Sequence, residues 1–297
     1  MPDPLFIVAP PRSYTSVIGG MIGQHPQIYG LPEVNLSHGD TLGEMWDSVT
    51  AALNFGTSGL LRLLAQMNEG VQTEEAVLRA RQWVLRRKHW TGKKVFEYIQ
   101  EVVGPDKILV DKSPRNTMRL EHMQRLLQSF PRASFLHLTR HPLTTGKSTI
   151  ELIKSYGDKD PSERSAHFSP DQVWLRSQSN ILKFAETLAT GQYMRIKGEM
   201  LLSDPRFYLA QVCEWLGIDK GPEAVEQMLH PESSPYACIG PENAPFGNDP
   251  NFLKNPKLDL ERLAKIKEPS LYGPVDWLKG EEFSKPVIKV ARQFGYG

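Results

Sequence analysis

The chain has 297 residues with 35 Lys and Arg against 34 Asp and Glu, a formal net charge of +1, so no global field draws it to nucleic acid or to an anionic membrane. Two cysteines, Cys213 and Cys238, are too few for a disulfide framework, and no run approaches the ~18 apolar residues of a membrane span. The N-terminus lacks the cationic start of a signal peptide, so the expectation is a soluble, cytoplasmic protein whose binding comes from local sites.

In chain order, the first expected element is a strand at 5–9 (LFIVA), short and wholly apolar as buried parallel strands are. It stops at PPRSYTS, after which small-residue helix spacing begins. A Walker phosphate loop needs Gly-x-x-x-x-Gly-Lys-Ser/Thr, and here neither glycine nor lysine is in place. The loop keeps Arg12, Ser13, Thr15 and Ser16 at the mouth of a helix. Backbone N–H groups and the helix dipole favour an anion there, and an arginine fork suits phosphate or sulfate oxygens. A capped helix with a surface arginine explains this stretch equally well.

A long helical insertion is expected at about 41–103. Within it, Thr73 can cap a helix whose first turn carries Glu74 and Glu75 and whose later turns carry Arg86, Arg87 and Lys88. That is a solvated helix with charges arranged along its dipole, or a docking face for an acidic partner. A second strand at 107–110 ends in ILVDKSP, with Asp111 and Lys112 at its carboxyl end. The third, at 134–139, is followed directly by Arg140, with Ser148 about two turns into the next helix, a pair able to grip a second phosphate. The stretch 155–170 reads as a mobile, turn-rich loop that closes with Ser169 and Pro170 starting a helix. After a fourth strand at 192–196, Asp204 and Pro205 start a helix that ends at Leu216 and Gly217. The segment 231–256 is rich in Pro, Gly and Asn without periodicity, and long loops of this kind in compact domains are often functional. Short strands separated by helical stretches predict an α/β doubly wound parallel sheet, whose ligands bind beyond the strands' carboxyl ends. That singles out 10–16, 111–114, 140–148 and 197–199.

Pro-Arg-Ser-x-Thr after the first strand, with Arg-His-Pro and a serine at this spacing after a later one, resembles the sulfotransferases that use 3′-phosphoadenosine-5′-phosphosulfate (PAPS). The resemblance covers most of 5–217 and implies a P-loop-like three-layer architecture with a large helical insertion. It implies a single sulfotransferase-like domain over 1–297, irregular loop and helices filling about 218–297. PAPS would be the co-substrate, 3′-phosphoadenosine 5′-phosphate (PAP) the nucleotide product, and no metal would take part. Arg12, Ser13, Tyr14, Thr15 and Ser16 would hold the 5′-phosphosulfate, with Arg12 neutralising the phosphate, and Arg140 and Ser148 would hold the 3′-phosphate. ILVDKSP is similar to a segment of tyrosylprotein sulfotransferases and of sulfotransferase domains in polyketide and olefin assembly lines, which makes Lys112 the group that stabilises the transferring sulfuryl. HPQIYGLPEVNL, at 25–36, resembles the stretch holding their catalytic carboxylate and makes Glu33 the general base. YMRIKGEMLLSDPRFYLAQVCEWLGI resembles the family's strand, Glu-x-Leu and final helix.

Four departures stand out. Tyr14 replaces the usual loop glycine, so the backbone is expected to take its shape without free access to positive φ, and the phenol to shape the pocket mouth. Gly198 stands where some members have an adenine-contacting tyrosine, and Asn35 where assembly-line domains carry a histidine. The Arg-Lys-Gly loop that closes over the 3′-phosphate in cytosolic members is absent, and IGPENAPFGND takes its place with no residue assigned.

The alternatives are a non-catalytic nucleotide-binding protein, which tolerates loss of Glu33, and a P-loop kinase with Asp111 as magnesium ligand. Burial would raise the Glu33 pKa, whereas a structural ion pair with a lysine is its bland role. His25 and His141 read as turn or loop histidines and His137 as a strand side chain. No His/Cys/Asp/Glu spacing suggests a metal site. The acceptor is a hydroxyl-bearing small molecule or a carrier-tethered chain, with specificity expected in 41–103 and 155–170. No nucleic-acid or membrane partner is expected, and the oligomeric state is undefined.

Overall fold

Five short runs pair into one sheet in the computed structural model, which describes residues 2–52, 55–155, 169–264 and 266–297. The strands are β1 (Leu5–Val8), β2 (Ile28–Gly30), β3 (Ile108–Asp111), β4 (Ser134–Thr139) and β5 (Tyr193–Lys197), in the spatial order β2-β3-β1-β4-β5. Every pairing is parallel; Phe6 of β1 lies opposite Asp111 on one side and Phe135 on the other. Four strands coincide with the expected ones to within a residue at each end. β2 is a fifth that periodicity does not signal, because three residues between His25-Pro26 and Leu31-Pro32 are too few to show a period.

Side chains alternate across the sheet and divide the core in two. Phe6, Val8, Leu109 and Phe135 enter one apolar cluster, and Leu5, Ile7, Val110, Leu136 and Leu138 enter the other. Both faces are covered by helices, which gives the three layers expected of a doubly wound sheet. Each fully buried side chain of this kind contributes about 1.5–3 kcal/mol relative to exposure.

Helix α1 (Thr15–Ile22) follows β1, and the insertion is a run of four helices, α2 (Leu42–Ala52), α3 (Ser58–Glu69), α4 (Glu74–Leu85) and α5 (Gly92–Val103). It sits between β2 and β3. Thr73 caps α4 by accepting from the Ala76 N–H, and Glu74 and Glu75 fill the first turn as expected. There follow α6 (Leu120–Ser129), α7 (Pro142–Ser155), α8 (Pro170–Ala185), α9 (Gly198–Ser203), α10 (Pro205–Leu216) and α11 (Pro222–Met228). Asp204 caps α10 through the Phe207 N–H, and Gly217 ends it in the left-handed conformation. The C-terminal part adds α12 (Pro250–Lys254), α13 (Leu260–Leu263) and α14 (Lys285–Gln293). Of the loop expected at 155–170, residues 156–168 lie outside the described residues; Ser169 and Pro170 start α8. Among the described residues no helix is long and apolar enough to cross a membrane.

Strand β1 lies between β3 and β4; from it the chain crosses to the edge strand β2 and returns inward to β3 on one side, then passes through β4 outward to β5 on the other. Loops leaving β1 and β4 therefore diverge at the carboxyl edge and open a crevice there, where ligands bind in sheets of this type.

Candidate active site

The turn after β1 puts Arg12 at φ 67° and Tyr14 at φ 63°. The expectation that Tyr14 bars positive φ is thus corrected: a loop without glycine enters the left-handed region twice, at about 1–2 kcal/mol each. Tertiary contacts hold it there. Arg140 Nη1 donates to the Arg12 carbonyl at 2.6 Å, and its guanidinium lies 4.1 Å over the Tyr14 ring. That ring packs on Gly198, where a Cβ would come within 2.6 Å of Tyr14 Cδ2. Gly198→Ala should therefore push the ring from beneath Arg140, weaken nucleotide binding several-fold and lower the melting temperature, since the Cβ would also crowd the Thr139 carbonyl oxygen at 3.3 Å. Calorimetry with PAP beside a thermal melt checks both halves. Ser13, Thr15 and Ser16 are buried, and the Ser13 hydroxyl lacks a partner.

At the end of β4, Arg140 Nε donates to Thr144 Oγ1 at 3.1 Å. Ser148 meets Arg12 instead, accepting from its Nε at 3.1 Å. The two motifs thus interlock: each arginine is bonded to the other's loop or helix. The turn between β4 and α7 is fixed by Glu199, which accepts from the His141 N–H at 2.9 Å and from the Tyr296 hydroxyl at 3.0 Å. Burial lowers the pKa of His141 to about 4, so the ring stays neutral, and its Nδ1 accepts from the Leu143 N–H. His141 shapes the turn and is a weak base there.

Glu33 reaches the same edge through three backbone anchors. The Leu31 N–H donates to Val110, the Glu33 N–H to Gly247, and the Asn35 N–H to Ser113 Oγ, at 2.9, 2.7 and 3.0 Å. Asn35 takes φ 53° and donates its amide to the Gly56 carbonyl, so it serves this turn's shape. The Glu33 carboxylate makes no hydrogen bond or ion pair among the described residues. Burial raises its pKa, Lys112 opposes the rise, and Asp249 and Asp111 support it.

Lys112 is not exposed. Its residue is 3 % accessible, its stem crosses α1 where a Cβ on Gly19 would come within 2.4 Å of its Cδ, and its ammonium has no hydrogen-bond partner. Burial lowers its pKa against the pull of Glu33 and Asp111. A desolvated, unpartnered ammonium next to an unbonded carboxylate is costly unless a ligand completes the site.

Asp111, the candidate magnesium ligand of the kinase alternative, is taken up internally. Its carboxylate accepts from the Ser113 N–H and hydroxyl and from Asn116 Nδ2, at 3.1, 2.6 and 3.3 Å. His25, His38 and His137 make structural contacts. His25 bonds the Asp219 carbonyl through Nε2 and accepts from the Gln27 N–H, and His137 lies between Tyr193 and Gln178. His38 stacks on His122 with ring centroids 4.0 Å apart, and burial lowers its pKa to about 3.

One residue of the site escaped sequence reasoning. Asp249, from the irregular segment, ion-pairs with Arg12 and donates its backbone N–H to Ser16 Oγ at 2.9 Å. Only its placement in an aperiodic loop hinted at function; nothing local names it.

A model described as the sulfotransferase family matches residues 4–222. No curated protein sequence matches the chain. Among solved structures, the chain is similar to the sulfotransferase domain from the curacin biosynthetic pathway. The TM-score is 0.76 at 24% identity, covering 100% of this chain and 99% of that one. It is likewise similar to the sulfotransferase domain from the Synechococcus PCC 7002 olefin synthase, with a TM-score of 0.73 at 24% identity, covering 100% of this chain and 97% of that one. At such identity the likeness concerns the fold.

Proposed function

Because the chain belongs to the sulfotransferase family, we propose that it moves a sulfuryl group from PAPS to a hydroxyl acceptor, as one domain spanning 1–297. The observation that carries this reading is the interlocking of Arg12 and Arg140 with Ser148 at the sheet's carboxyl edge, beside an unbonded Glu33 and an unpartnered Lys112. The residues present suit the nucleotide. The buried Ser13 hydroxyl and Lys112 ammonium are donors without acceptors, and two arginine forks match its phosphates. Arg12 with Ser13, Tyr14, Thr15 and Ser16 would hold the 5′-phosphosulfate, and Arg140 with Ser148 the 3′-phosphate.

In the proposed in-line displacement the acceptor oxygen gives its proton to Glu33 and bonds to sulfur, while the bond from sulfur to the bridging phosphate oxygen breaks and leaves its electron pair on the phosphate. Glu33 is suited to this because burial makes it a stronger base than an exposed glutamate. Lys112 and Arg12 supply positive charge where negative charge grows, in a region from which water is largely excluded. The acceptor is a hydroxyl-bearing small molecule or a carrier-tethered chain. A non-catalytic nucleotide-binding role gives no reason for a carboxylate held by three backbone anchors yet left unbonded.

The test is mass spectrometry of an alcohol and phenol library incubated with enzyme and PAPS, with and without excess EDTA. A gain of sulfate that persists with chelator is expected, because Arg12 and Lys112 balance the phosphates and Asp111 is internally bonded. Activity abolished by EDTA and restored by magnesium would return Asp111 to the role of metal ligand and favour a kinase.

A further inference from the structure

We propose that Asp249 is a tethered competitor for the nucleotide: its carboxylate takes the anion-binding fork of Arg12 and must leave it for phosphate to enter. The proposal rests on the reading of Arg12 as a nucleotide-binding residue. Arg12 spends Nε on Ser148 and Nη1 on Asp249, and its side chain is only 9 % accessible, so the fork has little room for another anion. The Asp249 N–H also sits on Ser16 Oγ, a second group of the same loop. Both Glu33 and Lys112 feel the Asp249 charge. Phosphate and Asp249 would need the same donors, and like charges at short range in a desolvated site repel strongly.

The competitor is positioned. The preceding residues are pinned to the site's framework: Arg62 donates to the Phe246 carbonyl at 3.0 Å, Glu33 to Gly247 at 2.7 Å, and Asn248 Nδ2 to the Tyr236 carbonyl at 3.0 Å. Arg62 is itself fully buried on α3, so the segment is clamped from beneath. An anion held this way acts at high effective concentration, so the nucleotide's apparent affinity is lowered by the fraction of sites Asp249 occupies. The same contact gives the product a rival on departure, when Asp249 returns to Arg12.

Calorimetric titration of PAP into wild type and Asp249→Asn tests this. Asparagine keeps the capping oxygen that accepts from the Asn251 N–H, and it caps helices as well as aspartate, so α12 is preserved while the charge is lost. The variant should bind PAP about ten-fold tighter. Equal or weaker binding would overturn the proposal and make Asp249 a group that orients Arg12. If neither protein binds PAP, the nucleotide reading itself falls and the competitor with it. Should the variant fail to fold, hydrogen exchange on the wild type decides: the amide of residue 249 loses Ser16, so a peptide covering 246–251 should exchange faster when PAP saturates the protein. Unchanged or slower exchange would count against displacement.

Discussion

Glu33→Gln should lower turnover by about 10²–10⁴, the usual contribution of a positioned general base, while PAP affinity stays within a few-fold of wild type. Glutamine keeps the shape and a polar head but has no useful basicity near neutral pH. The residues proposed to hold the nucleotide are untouched, and the backbone anchors to Val110, Gly247 and Ser113 do not involve the side chain. The wild-type pH profile should bear the same signature. A base works when deprotonated, and burial raises the Glu33 pKa, so the rate should fall as pH drops through a value above that of an exposed glutamate. Glu33→Gln should lose that limb. Wild-type turnover in the variant would make Glu33 structural and send the search for the base to His25, His38 and His141, of which His25 is bonded on both nitrogens and the other two are weakened as bases by burial.

The second large effect is on nucleotide choice. Wild type should bind PAP far better than ATP, and Arg140→Ala should erase most of that preference, on the order of 2–4 kcal/mol when charged hydrogen bonds to a 3′-phosphate are buried. Arg140 also supports the Arg12 carbonyl and covers Tyr14, so its removal loosens the loop as well. Comparing PAP with 5′-AMP, which lacks only the 3′-phosphate, separates the two contributions. A loosened loop weakens both ligands alike, whereas a lost grip on the 3′-phosphate weakens only PAP. Equal wild-type affinity for PAP and ATP would remove the main support for the nucleotide assignment.

The parts of this site that could be read from sequence are those encoded by contiguous residues. An apolar run followed by Arg12 and hydroxyl residues, and another followed by Arg140, place two loops on one sheet edge because parallel strands of such composition leave few other arrangements. The residues that meet across long sequence separations were beyond reach. Asp249 lies in a segment with no period to read, and its contact with Arg12 spans 237 positions. Lys112 follows a strand like many exposed lysines, and only the close approach of α1 at Gly19 buries it. Positive φ at Tyr14 is not legible in sequence because steric preference is local, whereas the contacts that overrule it come from Arg140, just after β4, and Gly198, at the start of α9. β2 went unseen because its three residues pair with β3 through backbone bonds that side-chain patterns do not report.

The left-handed residues of the loop carry one more implication, for transplantation. In a glycine-rich phosphate loop much of the shape travels with the peptide, since glycine populates positive φ readily. Here Arg12 and Tyr14 adopt it because a guanidinium bonds one carbonyl and a ring lies between that guanidinium and a bare backbone. Grafted onto another scaffold, PPRSYTS would bring the side chains without the conformation. The smallest portable unit is the set of Arg12, Tyr14, Arg140 and Gly198, drawn from the loops after β1 and β4 and from the start of α9.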